Sequence, residues 1–401
     1  MRIHCLLSLL IAASASVAIA AGISIDVRKQ GVGKEGISLS GIQGSGPGGQ
    51  LFLATLKNDL ERSGWFAVVP EIAASVSVTG SANGGANLSV AWGAGRFPWN
   101  EPHRSGDDDV RRAAHRACDE IIRRVLNQKG IAGTRIVFVG KSGGRSDLYL
   151  CDADGRSAKQ LTHDGAICIS PKWTPDAASI FFTSYRTGSP YIYRVPANGG
   201  TIQRLANFSG LNAGGTASPD GRLMALILSI SGNPELYVLN LATGNLTRLT
   251  KTPQAVESSP TWSPDGNSIA YVSDATRSPQ IYVINVGDKT PKRITFKGSE
   301  NVAPDWGPDG RIAYCTKQGG YQVAVYDPRS GRSDVITSGD PHEDPSWAPD
   351  GRHIACSEGQ QGRRRLVVLD CPAPSLDIVP DSPLTLFSNP GDWTAPDWSE
   401  R

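Results

Sequence analysis

From about residue 135 onward, short hydrophobic runs of β character recur at a steady spacing between turns that carry proline, aspartate and glycine. Ser268-Ile-Ala-Tyr-Val272 leads through a turn to Gln280-Ile-Tyr-Val-Ile284, and a third short run follows at Lys292-Arg-Ile-Thr295. The same unit returns along the chain. Tyr149 to Leu161, Tyr193 to Leu205, Tyr237 to Leu249 and Tyr282 to Ile294 are each twelve residues apart, and Ala324 to Ile336 repeats the step without the tyrosine. In the last unit Val367 and Leu386 are nineteen apart, so seven extra residues fall in an outer turn, where insertions are tolerated.

Most units are introduced by one motif: Pro171-Lys-Trp173-Thr-Pro-Asp176, Ala217-Ser-Pro-Asp220-Gly, Pro260-Thr-Trp262-Ser-Pro-Asp265-Gly, Pro304-Asp-Trp306-Gly-Pro-Asp309-Gly, Pro345-Ser-Trp347-Ala-Pro-Asp350-Gly and Pro396-Asp-Trp398-Ser. Successive motif aspartates lie 44, 45, 44 and 41 residues apart, the period of a four-stranded propeller blade. The chemistry suits a type I turn, with proline at i+1, aspartate at i+2 and glycine at i+3. The tryptophan before the turn is a large apolar wedge for the gap between neighbouring blades. The second copy has Ala217 in its place, and the Gly214-Gly215 pair before it makes that loop freer.

The ends of the repeat predict how a ring closes. The first hairpin, 135–139 with 147–150, has no motif before it, and the last motif, at 396–399, has no hairpin after it. A C-terminal strand that joins the first blade removes the open edge. The expected fold is an all-β six-bladed β-propeller over 133–401, preceded by a small N-terminal α/β domain over 22–132.

Within that leading domain the pattern predicts strands at 23–27 and 37–40, a helix at 49–63 with Phe52, Leu53, Leu56 and Leu60 on one face, and a strand at 65–69. An alternating hairpin follows at 75–79 and 87–91. A second helix is expected at 107–127, with Asp107, Asp108 and Asp109 at its positive end and Val110, Ala114, Ala117, Ile121 and Val125 as its apolar face. Arg111, Arg112, Arg116, Arg123 and Arg124 read as a solvated face, with a basic binding patch as the alternative.

The first 21 residues have the form of an export signal. Arg2 precedes an apolar stretch from Leu6 to Ala20, and Ala18-Ile19-Ala20 offers cleavage near Ala20/Ala21. That stretch is short against the ~20 residues a membrane span needs, and Cys5 precedes the apolar core, unlike the cysteine of a lipoprotein signal. The expectation is a soluble periplasmic protein with no membrane span after signal cleavage. The chain has 401 residues and a net charge of +2, which argues against a nucleic-acid surface. Of its seven cysteines none forms a CxxC pair, and Cys315 and Cys356 take the places of Val272 and Tyr271 in sister repeats, so they read as small buried hydrophobes.

Two motifs point toward enzymes. Gly44-Ser-Gly46-Pro-Gly-Gly49 fits GxGxxG, with Glu71 downstream, but the hairpin after it does not continue a doubly wound sheet. Gly140-Lys-Ser142-Gly-Gly144 fits GxSxG but lies in a hairpin turn rather than between strand and helix. A metal-dependent lyase or hydrolase would draw on His163, His342, Glu343 and Asp344; the other reading of these groups is a polar rim. No catalytic, cofactor-binding or metal residue is assigned, and no enzyme activity is expected.

The Trp-Ser-Pro-Asp-Gly turns, the Ile-Tyr-Val strands, the closing Pro396-Asp-Trp-Ser and the segment Leu56-Lys-Asn-Asp-Leu-Glu-Arg-Ser-Gly-Trp-Phe66 together make the chain resemble the TolB family across its mature length. The resemblance implies a periplasmic component of the Tol-Pal system, which helps keep the outer membrane attached during constriction at division. It implies that the propeller mouth holds the peptidoglycan-associated lipoprotein Pal, through Leu211, Asn212, Gly214, Glu257, Ser258, Asn301, His342 and Glu343. It also implies that the mature N-terminus, Ile23, Ser24, Ile25, Asp26, Val27 and Arg28, engages the C-terminal domain of TolA. Lys29 and the glycines after it depart from the acidic N-terminal stretch of the family. The rivals from other classes are a propeller enzyme acting on a polysaccharide or peptide, and a carbohydrate-binding scaffold.

Overall fold

A computed structural model describes residues 33–83, 85–102, 106–374, 380–387 and 391–400. The expected leader, the strand at 23–27 and the segment Ile23 to Arg28 lie outside the described residues.

The α/β domain is a five-stranded sheet in the order β2-β1-β3-β4-β5, from β1 (Glu35–Gln43), β2 (Phe66–Val68), β3 (Val76–Ser81), β4 (Ala86–Trp92) and β5 (Gly95–Glu101). β1 runs parallel to β2 and β3, and the rest is an antiparallel meander. Helices α1 (Gly46–Arg62) and α2 (Asp107–Leu126) bury their apolar stripes, Phe52, Leu56 and Leu60 with Val110, Ala114 and Ile121, against Ile37, Val78 and Val90. The strand β5 is not evident in the sequence, because Pro98 interrupts its run; an edge strand accommodates it. Gly44 and Gly49 of the GxGxxG match serve packing, since a Cβ on Gly49 would lie 2.7 Å from the Ala82 carbonyl and 3.0 Å from Gly44, while Gly46 takes a positive φ. Asn127 ends α2 in the left-handed conformation, as a C-cap.

Six four-stranded sheets form the blades. Blade 1 holds the C-terminal strand Trp393–Trp398 innermost, beside Arg135–Ser142 and Arg145–Asp152, which is the expected ring closure. The innermost strands of blades 2 to 6 are Cys168–Trp173, Asn212–Ala217, Glu257–Trp262, Asn301–Trp306 and His342–Trp347. The extra residues of the last unit lie between Arg365–Asp370 and Leu384–Thr385, as read from the spacing.

Every innermost strand carries a bulge at the same place. Ser170, Gly214, Ser259, Ala303, Asp344 and Ala395 take positive φ, and a register shift occurs at each. Proline follows in five blades and Gly215 in blade 3; proline has no N–H to lose from the ladder at a bulge. The left-handed residue costs roughly 1 kcal/mol at each non-glycine position. Gly214 alone escapes that cost.

The motif turns close as the sequence predicts. The Ser218 carbonyl accepts from Gly221 N, while the Asp220 carboxylate accepts from Ser218 Oγ and from Arg222 N. Ser263 with Asp265 and Thr174 with Asp176 repeat the pattern. Two of the motif indoles stitch blades together: Trp262 Nε1 donates to Thr216 O of blade 3, and Trp173 Nε1 donates to Asp397 O of blade 1. Where Ala217 replaces tryptophan, buried Met224 pairs with it across the strands and shares a buried apolar cluster with Phe181.

The α/β domain is fastened to blades 1 and 6 by buried charge. Arg352 of blade 6 forms a bidentate pair with Asp370 at 2.6 and 2.9 Å and stacks over Trp65, 4.4 Å from the ring centroid. Arg111 corrects the reading of the α2 arginines as a solvated face. It is buried and donates to Asp154 at 2.9 Å and Asp152 at 3.4 Å, both from blade 1. Arg112, Arg116, Arg123 and Arg124 do lie on the exposed side, each beside a carboxylate. The six cysteines among the described residues are buried and unpaired.

Candidate functional site

The six innermost strands begin at one face of the ring and end, at the tryptophan motifs, near the other. At the first face an open chamber of about 270 Å³ enters the channel, lined by Leu211, Ala213, Gly214, Ile227, Val256 and Ser258 among others. Pro171, Pro260, Pro304, Pro345 and Pro396 of the bulges complete its apolar wall.

Its floor is a charged belt, the residues that follow the bulge proline or glycine: Lys172, Thr216, Thr261, Asp305, Ser346 and Asp397. Four of these accept the backbone N–H of the next blade's tryptophan: Asp397 from Trp173, Thr261 from Trp306, Asp305 from Trp347 and Ser346 from Trp398. Lysine has no acceptor to offer. Lys172 instead reaches across the channel, 3.1 Å from Asp305 on the opposite blade and 2.7 Å from Asp397 on the adjacent one. Burial disfavours its charge, but the two carboxylates outweigh burial and hold its pKa above the usual range. Burial pushes the Asp397 carboxyl up to about 6, against the pull of Lys172. This triad separates the upper chamber from a second one of about 510 Å³ at the motif end.

The rim carries apolar side chains in the open. Of eight exposed large hydrophobics among the described residues, five stand on loops of this face: Ile167, Tyr185, Ile230, Val256 and Phe296. The loops are tied to one another: Tyr185 N donates to Ile167 O, Ser229 N to Leu211 O, and Val256 N to Asp274 Oδ1. A cluster of this kind around a concavity is the usual mark of a docking surface.

The residues expected to touch Pal divide into two groups. Leu211, Gly214, Ser258 and Glu343 are half-buried at the mouth. Asn212, Glu257, Asn301 and His342 are buried beneath it, each opening an innermost strand. Asn212 Nδ2 donates to Phe208 O and Gly210 O, Asn301 Nδ2 donates to Lys297 O, and His342 Nδ1 bonds Asp340 O. These four side chains shape the rim loops from below. The rim residues missed by sequence reasoning are Ile167, Tyr185, Ile230, Val256 and Phe296; the signal was an apolar residue in an otherwise polar loop.

The His/acid set that a lyase or hydrolase would draw on is not brought together. His342 is buried while His163 is exposed, and the one His/acid cluster within ligand distance among the described residues is His115, Asp152 and Asp154, between the α/β domain and blade 1. There the Arg111 guanidinium already bonds both carboxylates and stands 3.5 Å from His115 Nε2, while His115 Nδ1 bonds Asp59 at 2.6 Å. Ser142 of the GxSxG match is on a hairpin whose turn is Gly143-Gly144, both at positive φ.

The family model described as the TolB β-propeller domain matches residues 130–206 and 200–400. A Tol-Pal system protein TolB of Anaeromyxobacter dehalogenans strain 2CP-1 is 35% identical over 155 residues, and so is that of Anaeromyxobacter sp. strain K. These matches span 38% of this chain and 35% of each relative, about a third of their length. The crystal structure of TolB from Acinetobacter baumannii superimposes with a TM-score of 0.77 and 26% identity, over 92% of this chain and 97% of that one. A putative TolB from Agrobacterium tumefaciens, at 20% identity and TM-score 0.52, covers 65% of this chain and 90% of its own, and shares the fold.

Proposed function

This chain belongs to the TolB β-propeller family, and from that premise we propose that it is a periplasmic docking component of a Tol-Pal system, without catalytic activity of its own. It holds the peptidoglycan-associated lipoprotein Pal at the chamber mouth and engages the C-terminal domain of TolA through Ile23 to Arg28. In this role it serves outer-membrane integrity and envelope constriction at division. The observation that carries the reading is the gathering of Ile167, Tyr185, Ile230, Val256 and Phe296 around one mouth of the channel.

The mechanism is one of presentation. The closed ring fixes the loops, the buried Asn212, Glu257, Asn301 and His342 set their shape, and the apolar rim supplies contact area that a partner removes from water. Leu211, Gly214 and Ser258 line the chamber, where the partner would reach deepest, and Glu343 is half-buried. The Lys172 triad sets a floor, so an inserted segment is read in the upper chamber alone.

A photo-crosslinking side chain at Ser258 tests this in the native host. Covalent capture of a lipoprotein with a peptidoglycan-binding domain is the expected result, with none captured from Asp265 at the motif end. Equal capture from both positions, or from neither, would remove the mouth as the site.

A further inference from the structure

We propose that Glu257 makes the rim loop at 251–256 proton-controlled: held closed while its carboxyl is protonated, and loosened once it ionises. Glu257 opens the innermost strand of blade 4 and is buried. Its Oε1 lies 2.8 Å from Thr252 Oγ1 and 2.9 Å from Ser273 Oγ, while Oε2 is sealed from solvent with no hydrogen-bond partner.

A count of protons gives the state. Thr252 Oγ1 also lies 3.2 Å from Glu235 Oε2. A hydroxyl has one hydrogen to donate, so both contacts are hydrogen bonds only when one of the two carboxyls carries a proton and donates to Thr252. Glu235 is the ionised one, since its Oε1 receives Arg248 Nη2 at 2.6 Å, Thr252 N at 2.8 Å and Asn233 Nδ2 at 3.3 Å. The proton therefore sits on Glu257. The chain of donors runs from Glu257 through Thr252 to Glu235, which Arg248 compensates.

Among the described residues no uncommitted cation faces Glu257. Glu235, Asp274 and Tyr271 face Glu257; Arg248 is engaged by Glu235, and Lys172 on the chamber floor by Asp305 and Asp397. Burial, then Glu235 and Asp274, push the Glu257 carboxyl up to about 7, against the hydroxyls that bond it. On ionisation Thr252 can serve only one carboxylate, and the loop that carries exposed Val256 loses a tie. The sister loops supply an internal control. Asn212 and Asn301 stand at the same place, and their amides keep their bonds at every pH.

Amide hydrogen exchange of the full mature protein, corrected for intrinsic rates, tests the proposal without any partner. Between pH 6 and pH 8 the opening of 251–257 should rise roughly tenfold, the linkage expected for release of one proton over about one pH unit, while 207–211 and 296–300 stay constant. Glu257→Gln should abolish the rise. Should that variant fail to fold, Asp274→Asn keeps the acceptor for Val256 N while removing a facing charge, and should move the rise to lower pH. A flat wild-type response, an undiminished rise in Glu257→Gln, or an unmoved midpoint in Asp274→Asn overturns it. Any consequence for partner affinity rests on the mouth being the docking face; the loop response does not.

Discussion

The two ends of the channel are made by the same six strands and have opposite character. At the motif end one solution recurs in blades 2, 3 and 4: Ser218 with Asp220, Ser263 with Asp265 and Thr174 with Asp176 close equivalent turns in the same way. At the mouth the equivalent strand-opening residues are Trp393, Cys168, Asn212, Glu257, Asn301 and His342, no two neighbouring blades alike. Repetition marks positions where turn geometry narrows the choice of residue. Divergence marks positions free to be shaped for a partner, and the apolar rim lies among them.

On that contrast, substitutions at the motif end should cost stability and those at the rim should cost binding. Trp262→Ala should destabilise by about 3–5 kcal/mol in urea unfolding, because it empties the wedge between blades and strands the Thr216 carbonyl. A loss under about 1 kcal/mol would show that other contacts hold blades 3 and 4 together.

A smaller effect separates the interdomain link from both ends. Asp119 on α2 accepts Ala132 N and Gly133 N, and burial, outweighing those bonds, pushes its carboxyl up to about 6 from 3.8. A group with a raised folded pKa contributes stability at pH below 3.8 that is lost as pH rises toward about 6. Asp119→Asn should therefore flatten the urea midpoint across that window; an unchanged slope would move the titration elsewhere.

Pro264→Ala should cost about 0.4–1 kcal/mol, since proline at i+1 of the turn restricts the unfolded chain. The combined change of Tyr185 and Val256 to aspartate should alter stability least, within about 0.5 kcal/mol, because both side chains are exposed. Thermal unfolding of the two variants side by side checks both figures.

Much of the architecture is legible in the sequence, and the reason lies in turn chemistry. Pro-Asp-Gly fixes a backbone geometry locally, so the six units, the closing strand and the long outer turn before Leu386 follow from spacing. Cys315 and Cys356 are buried strand residues, as their alignment with Val272 and Tyr271 implies. What escapes is burial set by distant chain. Arg111 lies beside the apolar stripe of α2, and only the arrival of Asp152 and Asp154 from blade 1 turns it inward. Asn212, Glu257, Asn301 and His342 read as exposed polar loop residues, yet each loop folds back over its own side chain. Lys172 did carry a signal: it stands where four sister blades place an oxygen acceptor.

The most direct test is calorimetric titration of residues 22–401 with the soluble domain of its host's peptidoglycan-associated lipoprotein. Wild type and Pro264→Ala should bind alike, and the combined Tyr185→Asp and Val256→Asp change should weaken binding at least about tenfold, or about 1.4 kcal/mol. Equal affinity in all three, or no binding by the wild type, would contradict the mouth as the docking face.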